Sequence, residues 1–304
     1  MSDRGEHLLH KIQIYLKLLR PFTLLAPIIV SSSVMIASLV YSGTTGISFT
    51  SLLLTVLSAS ICFALLNGAS NILNQATDWK EDLLSKPYRP IPRGMLSPKE
   101  AIKLSFLLYT IALLLSFTVH IIFCLFVCII ALFSITYSIR PRMKKFLFLN
   151  QVWVALPRGF FAIIGSWSVF GNPFEPLPIA IGSVAALFLF GGTTTKDILD
   201  AEADKVVGTK TLVNVFGLKI ASIFSLIFMV SAFCLLLPCI YFNIVPAEIF
   251  PLAFLSILSI IIGWSMMNTQ KNTKCENTSS WTLMYMTYFT FAFSFAFIVI
   301  FSFA

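Results

Sequence analysis

Residues 120–138 read HIIFCLFVCIIALFSITYS, a run without a single Asp, Glu, Lys or Arg. Crossing a hydrocarbon core takes about 20 mostly apolar residues in a helix, because lipid offers backbone N–H and C=O groups no partner. This stretch has the length and composition of one crossing. Working outward, eight more qualify, at about 22–42, 50–72, 99–118, 148–170, 177–196, 216–238, 247–266 and 281–303. The 304-residue chain is 58% hydrophobic and 11% charged, too little polar surface for a soluble protein of this length. The expected fold class is therefore all-α, a polytopic membrane helix bundle of about nine transmembrane helices. With no exact repeat, low-complexity tract or long linker, residues 1–304 are expected to form a single transmembrane domain.

Charge placement tests this topology independently, since cytoplasmic loops are rich in Lys and Arg. With the N-terminus inside, the inner segments carry Arg4, Lys11, Lys17 and Arg20, then Lys80 to Lys103, Arg140 to Lys145, Lys205 to Lys219, and Lys271 with Lys274. The outer loops near 43–49, 119, 171–176 and 239–246 contain neither Lys nor Arg. The basic residues before the first span resemble the start of a signal peptide, but no convincing small-residue cleavage site follows, so this span is read as a mature helix. A net charge of +8 distributed over juxtamembrane loops points to lipid headgroups and a charged substrate rather than nucleic acid. Cys62, Cys124, Cys128, Cys234, Cys239 and Cys275 lie mostly in apolar spans without metal-site pairing and read as small core fillers. His7, His10 and His120 are too scattered for a metal site or dyad.

Two inner loops stand apart, about 71–98 and 196–215. Of thirteen acidic residues, seven fall there: Asp78, Glu81 and Asp82, then Asp197, Asp200, Glu202 and Asp204. Both windows follow even-numbered spans, so they emerge on one membrane face. Asn74, Asp78 and Asp82 recur every four residues and share a slowly drifting helical face. Asp197, Asp200 and Asp204, spaced by three and four, share another. Mg²⁺ takes oxygen ligands and is usually held by one or two carboxylates together with substrate phosphates. Two opposed acidic faces therefore suit a diphosphate gripped through metal. Candidate diphosphate ligands lie between and beside them: Lys86, Arg89, Arg140, Arg142, Lys144, Lys145 and Lys196. Arg suits bidentate phosphate contacts and Lys acts as a point charge. Taken singly, Arg142, Lys144, Lys145 and Lys205 are accounted for as inside-positive anchors. Arg158 differs, because it lies about ten residues inside the fifth span, where an unpaired charge costs at least ~2.5–3.5 kcal/mol. It is expected to face a polar cavity or to pair with another buried polar group. Tyr137, at the inner end of the fourth span, reads equally as a cavity residue or an interface aromatic.

These residues resemble the UbiA family of intramembrane prenyltransferases. Its first signature, N-x3-D-x3-D followed by K/R-P-x-R-P-[IL]-P-x-G, is similar to Asn74, Asp78 and Asp82 followed by Lys86 to Gly94. Its second, an acidic D-x3-D within a longer pattern, is similar to the stretch Lys196 to Leu212 that contains Asp197, Asp200 and Asp204. The Tyr137 to Lys145 turn and the Arg158-Gly159 pair also resemble its central region. Gln75, Arg93 and Ala203 depart from the family pattern without removing a metal ligand.

The resemblance implies nine helices around a central cavity, capped by the acidic loops and open laterally to lipid. It implies Mg²⁺ as cofactor, with Asn74, Asp78, Asp82, Asp200 and Asp204 as metal-holding and catalytic residues. Lys86, Arg89, Tyr137, Arg140, Lys144, Arg158, Lys196 and Asp197 would contact substrate. The expected partners are an isoprenoid diphosphate, a lipophilic acceptor and the bilayer, with no obligate protein partner. Tyr88 to Gly94 is the expected lid. A cation-coupled transporter is the rival, but its site should lie near the midplane, whereas these carboxylates gather at one face. A membrane phosphotransferase is disfavoured because its D-x2-D-G-x2-A-R pattern is absent.

Overall fold

The computed structural model describes residues 3–269 and 278–303. Its helices are α1 (Asp3–Leu19), α2 (Pro21–Tyr41), α3 (Phe49–Thr77), α4 (Trp79–Ser85), α5 (Pro98–Phe117), α6 (Ile121–Ser138), α7 (Leu149–Ala155), α8 (Ala162–Trp167), α9 (Pro176–Gly192), α10 (Thr194–Val206), α11 (Leu212–Cys234), α12 (Leu236–Tyr241), α13 (Ser256–Met267) and α14 (Ser279–Phe303). A π-helical segment, Leu156–Phe161, joins α7 to α8, and a 3₁₀ segment, Ala247–Leu255, precedes α13. Among the described residues there is no strand.

Among the described residues, eight helical stretches are long and apolar enough to cross a membrane. The crossing expected at 148–170 is helical from Leu149 to Trp167, but is divided by the π segment. Pro157 lies at the start of that segment; it lacks a backbone donor and its ring crowds the preceding turn, and a widened turn accommodates both. The helices are apolar outside as well as inside: Leu114, Leu125, Leu132, Ile227, Phe293 and Phe301 are all exposed. In water such surfaces would associate, whereas lipid solvates them. The chain is an integral, multi-pass membrane protein.

Local sequence sets the ends of several elements. Ser97 and Glu100 form a reciprocal capping box behind Pro98 at the start of α5, and Thr211 with Asn214 does the same for α11. The principal helix pairs are α3 with α5, α9 with α11, and α2 with α14. One core cluster joins α2, α9, α11 and α14 through Val34, Phe188, Phe233 and Phe295, and a second joins α3, α5 and α6 through Phe63, Tyr109 and Phe123. Gly159 permits a close crossing: a Cβ there would stand 2.6 Å from the backbone of Ala186 on α9.

Several sequence expectations need correction. Residues 3–19, read only as a basic inner segment, form α1, which buries Ile14 and Leu18 beside Ile72 and Ala76 of α3. The second acidic loop begins as helix, because α10 carries the chain from Thr194 to Val206. Cys128 and Cys234 are exposed rather than core fillers, since they lie on the outer faces of α6 and α11. Lys271, Lys274 and Cys275 lie outside the described residues, as do the side chains of Arg4, His7 and His10.

Candidate active site

Asn74 occupies the last turn of α3, and Asp78 is the junction from which α4 departs, with φ −103° and ψ 15°. Asp82 lies in the first turn of α4 and is buried. The expected continuous face therefore bends at Asp78, although the Asp82 N–H still donates to the Asp78 carbonyl at 2.8 Å. On the other side, α9 runs almost without interruption into α10. About 20 residues suffice to span lipid, so the charged α10 extends the 31-residue stretch Pro176–Val206 beyond the spanning part.

The windows meet. Lys86, just after α4, reaches Asp200 on α10 at 2.5 Å. Arg89 grips both oxygens of Asp82 at 2.9 and 3.1 Å. Lys144 donates to Asn74 Oδ1 at 3.0 Å and also to Asp78. Arg142 bridges Asp78 and Glu81 at 2.7 and 3.3 Å. Deeper, Lys196 Nζ donates to the Tyr137 hydroxyl at 2.7 Å and to Asn150 Oδ1 at 3.2 Å, while lying 5.2 Å from the Tyr137 ring centre. Asn150 also accepts from Tyr137 at 2.9 Å and donates to Asp197 at 3.1 Å.

A polar cavity of about 180 Å³ lies among these groups. Asn74, Asp78, Asp82, Asp200 and Asp204 all line it, as do Lys86, Arg89, Lys144 and Lys196, with Tyr137, Arg158 and Asp197. An apolar cavity of about 200 Å³ adjoins it, walled by Phe63, Leu66, Ile130 and Met284, and shares Asn74, Tyr137, Arg158 and Lys196 with it. Arg140 is exposed beyond the end of α6 and lines neither cavity, and neither do the candidate ligands Arg142 and Lys145. Glu202 is exposed as well. Arg142, which the sequence explains as a topological anchor, is instead tied to the first window. Asn150 carries no local signal, and only its placement among Tyr137, Lys196 and Asp197 reveals it.

Electrostatics outside the spanning segments fit a cation-demanding site. Burial pushes the Asp82 carboxyl above its ordinary range against the opposing pull of Arg89, and burial pushes the Lys144 ammonium down against the pull of Asp78. Burial, with Asp197 and Asp200 nearby, pushes Asp204 up to about 8. Asp204 makes no ion pair among the described residues. No three acidic, His or Cys side chains among the described residues converge as an all-protein metal cage. Mg²⁺ does not require one, because substrate phosphates and waters complete its shell. The hard oxygen donors of the two windows fit that ion.

The sequence model of the UbiA prenyltransferase family matches residues 30–289. The chain belongs to the UbiA prenyltransferase family. It is thus a prenyltransferase of the UbiA type, and both acidic windows fall inside the family match. The digeranylgeranylglyceryl phosphate synthase of Methanobrevibacter smithii is 31% identical over 201 residues, 64% of this chain and 68% of that protein. The synthase of the same name from Methanosphaera stadtmanae is 27% identical over 210 residues, 67% of this chain and 72% of that protein. A solved UbiA homologue from Archaeoglobus fulgidus, bound to GPP and Mg²⁺, superposes with a TM-score of 0.66 at 20% identity, covering 94% of this chain and 99% of its own. At that identity the likeness establishes the UbiA fold.

Proposed function

We propose that this UbiA-type enzyme transfers an isoprenoid chain from its diphosphate to the free hydroxyl of a glycerophosphate ether lipid, with Mg²⁺ as cofactor. The observation that carries this reading is the meeting of both acidic windows and their cations over one polar cavity that continues into an apolar one. The names of the relatives supply the acceptor class, and the solved homologue with GPP and Mg²⁺ supports the donor and the ion.

Asn74, Asp78, Asp82, Asp200 and Asp204 would hold Mg²⁺, which when bound supplies positive charge against the departing diphosphate. Lys86, Arg89, Lys144 and Lys196 bind phosphate oxygens, exchanging their carboxylate or amide partners for the substrate. Charge that grows on the leaving oxygen strengthens these contacts most in the transition state. The allylic C–O bond breaks with its electron pair on the diphosphate, and the acceptor oxygen bonds to that carbon. The hydroxyl proton leaves with the diphosphate. Phe63, Leu66, Ile130 and Met284 give the isoprenoid tail an apolar lining. Residues 88–94 form the lid that excludes water, which would otherwise capture the allylic cation. Ile91 anchors this segment, buried beside Ala101, and Gly94 turns it at φ +70°. We place the windows and the N-terminus on the cytoplasmic, positive side.

A transporter is the less favoured reading, since the carboxylates gather at one end of the bundle rather than at its middle. The deciding assay supplies purified protein in lipid with radiolabelled geranylgeranyl diphosphate, with and without Mg²⁺, and offers glycerophosphate lipid, hydroxybenzoate, naphthoate and tetrapyrrole acceptors. Mg²⁺-dependent labelling of the glycerophosphate lipid is expected. Neither transfer nor Mg²⁺-dependent diphosphate binding, with shorter and longer chains also tried, would move the reading to a transporter.

A further inference from the structure

The cations that line the polar cavity are Arg20, Lys86, Arg89, Lys144, Arg158 and Lys196, and all but Arg158 have partners. Lys86, Arg89 and Lys144 are each matched to a carboxylate of the acidic windows, and Lys196 is held by Tyr137, Asn150 and Asp197. Arg158 is matched to nothing: among the described residues its guanidinium makes neither a hydrogen bond nor an ion pair. Nine residues into the crossing that starts at Leu149, it lies about 13 Å along the helix at ordinary rise. A half-buried intramembrane guanidinium with no counter-ion among the described residues marks a place for an anion.

The backbone is arranged to present it. Arg158 sits in the π segment, its carbonyl accepts from the Tyr288 hydroxyl of α14 at 2.9 Å, and the adjoining Gly159 packs directly on the backbone of α9. The side chain borders both cavities, on the apolar side of the acidic windows. A diphosphate bound by the window cations directs its allylic carbon toward the apolar cavity, and the attacking hydroxyl must arrive at that same boundary. An acidic group a few bonds from the hydroxyl then falls beside Arg158 rather than beside the windows.

We propose that Arg158 is the anion anchor of the acceptor site, pairing with the phosphate monoester of a glycerolipid acceptor. This rests on the prenyl-transfer reading above and adds the group by which the acceptor is recognised. Guanidinium forks also accept carboxylates, so an aryl carboxylate is the competing source of the same oxyanion chemistry.

The test uses the full chain in lipid nanodiscs, as wild type, Arg158→Met and Arg158→Lys. Each is assayed for transfer to a monoalkylated glycerophosphate, to the same lipid lacking its phosphate, and to a hydroxybenzoate. Mg²⁺-dependent Kd for geranylgeranyl diphosphate and the thermal midpoint are measured in parallel. For Arg158→Met, the KM for the phosphate acceptor is expected to rise about ten- to a hundredfold, the loss of a charge-assisted contact. Its KM for the dephosphorylated lipid and its Kd for the diphosphate should stay within about twofold, and Arg158→Lys should fall between. An equal loss on both lipids, or a weakened diphosphate Kd, would overturn the assignment and move Arg158 to the leaving-group site. Wild-type preference for hydroxybenzoate would overturn the phosphate in favour of a carboxylate. Failure of wild type to bind geranylgeranyl diphosphate with Mg²⁺ would instead remove the transfer reading, and the anchor with it.

Discussion

Asp78 is the residue on which the first window turns, since it accepts from Lys144 and Arg142 and marks the bend between α3 and α4. Asp78→Ala would leave two cations facing one another and remove a proposed metal ligand. Turnover is expected to fall by about 10²-fold or more, with the protein still inserted and monodisperse; retained turnover in the radiolabel assay would count against the metal role. Asn150 acts at one remove, joining Tyr137, Lys196 and Asp197 through its single amide. Asn150→Ala should lower kcat about tenfold while leaving the acceptor KM in place. Asn150→Asp keeps an oxygen for Tyr137 and Lys196 but loses the donor to Asp197, so partial recovery is expected; a uniform loss in both variants would mark Asn150 as structural only. At this scale the acidic residues were legible, because a three- or four-residue spacing is set by the helix itself. Arg140 and Arg142 were not, since two residues separate an exposed side chain from one bound to Asp78 across more than sixty positions of sequence.

Among the elements, the fifth crossing departs furthest from its sequence reading. Composition announces an apolar span, but the π turn at Leu156–Phe161 follows from Pro157 combined with close packing on α9. Gly159→Ala would drive a Cβ to 2.6 Å from Ala186 Cα and N, and rigid backbone has no cheap way to yield. A loss of about 1–3 kcal/mol is expected, read as a lower thermal midpoint in detergent; an unchanged midpoint would show that the π segment and α9 can separate freely. Behind Ser97, α5 starts at Pro98, close to the expected 99, whereas α11 behind Thr211 starts at Leu212, well before the expected 216. The first helix was missed because its interest lies in two buried residues, Ile14 and Leu18, within a polar stretch.

For the molecule as a whole, the even-numbered spans deliver both windows to one end, where Lys86 meets Asp200. That partly exposed pair contributes little stability by itself, so helix packing is what brings the windows together. Sidedness is open to a direct test with cysteine reporters in a chain whose native cysteines are replaced. Thr44→Cys should react with an impermeant maleimide from outside, and Arg93→Cys only after permeabilisation. The reverse pattern would invert the proposed topology. The sequence by itself determined the membrane environment, the helical class and the two oxygen-rich faces, because each depends on composition or on short-range period. Only the tertiary structure decided which cation meets which carboxylate, that Asn150 joins the deeper network, and that Arg158 has no counter-ion among the described residues. Those facts depend on the relative placement of helices far apart in the chain, and a local periodicity carries no record of that placement.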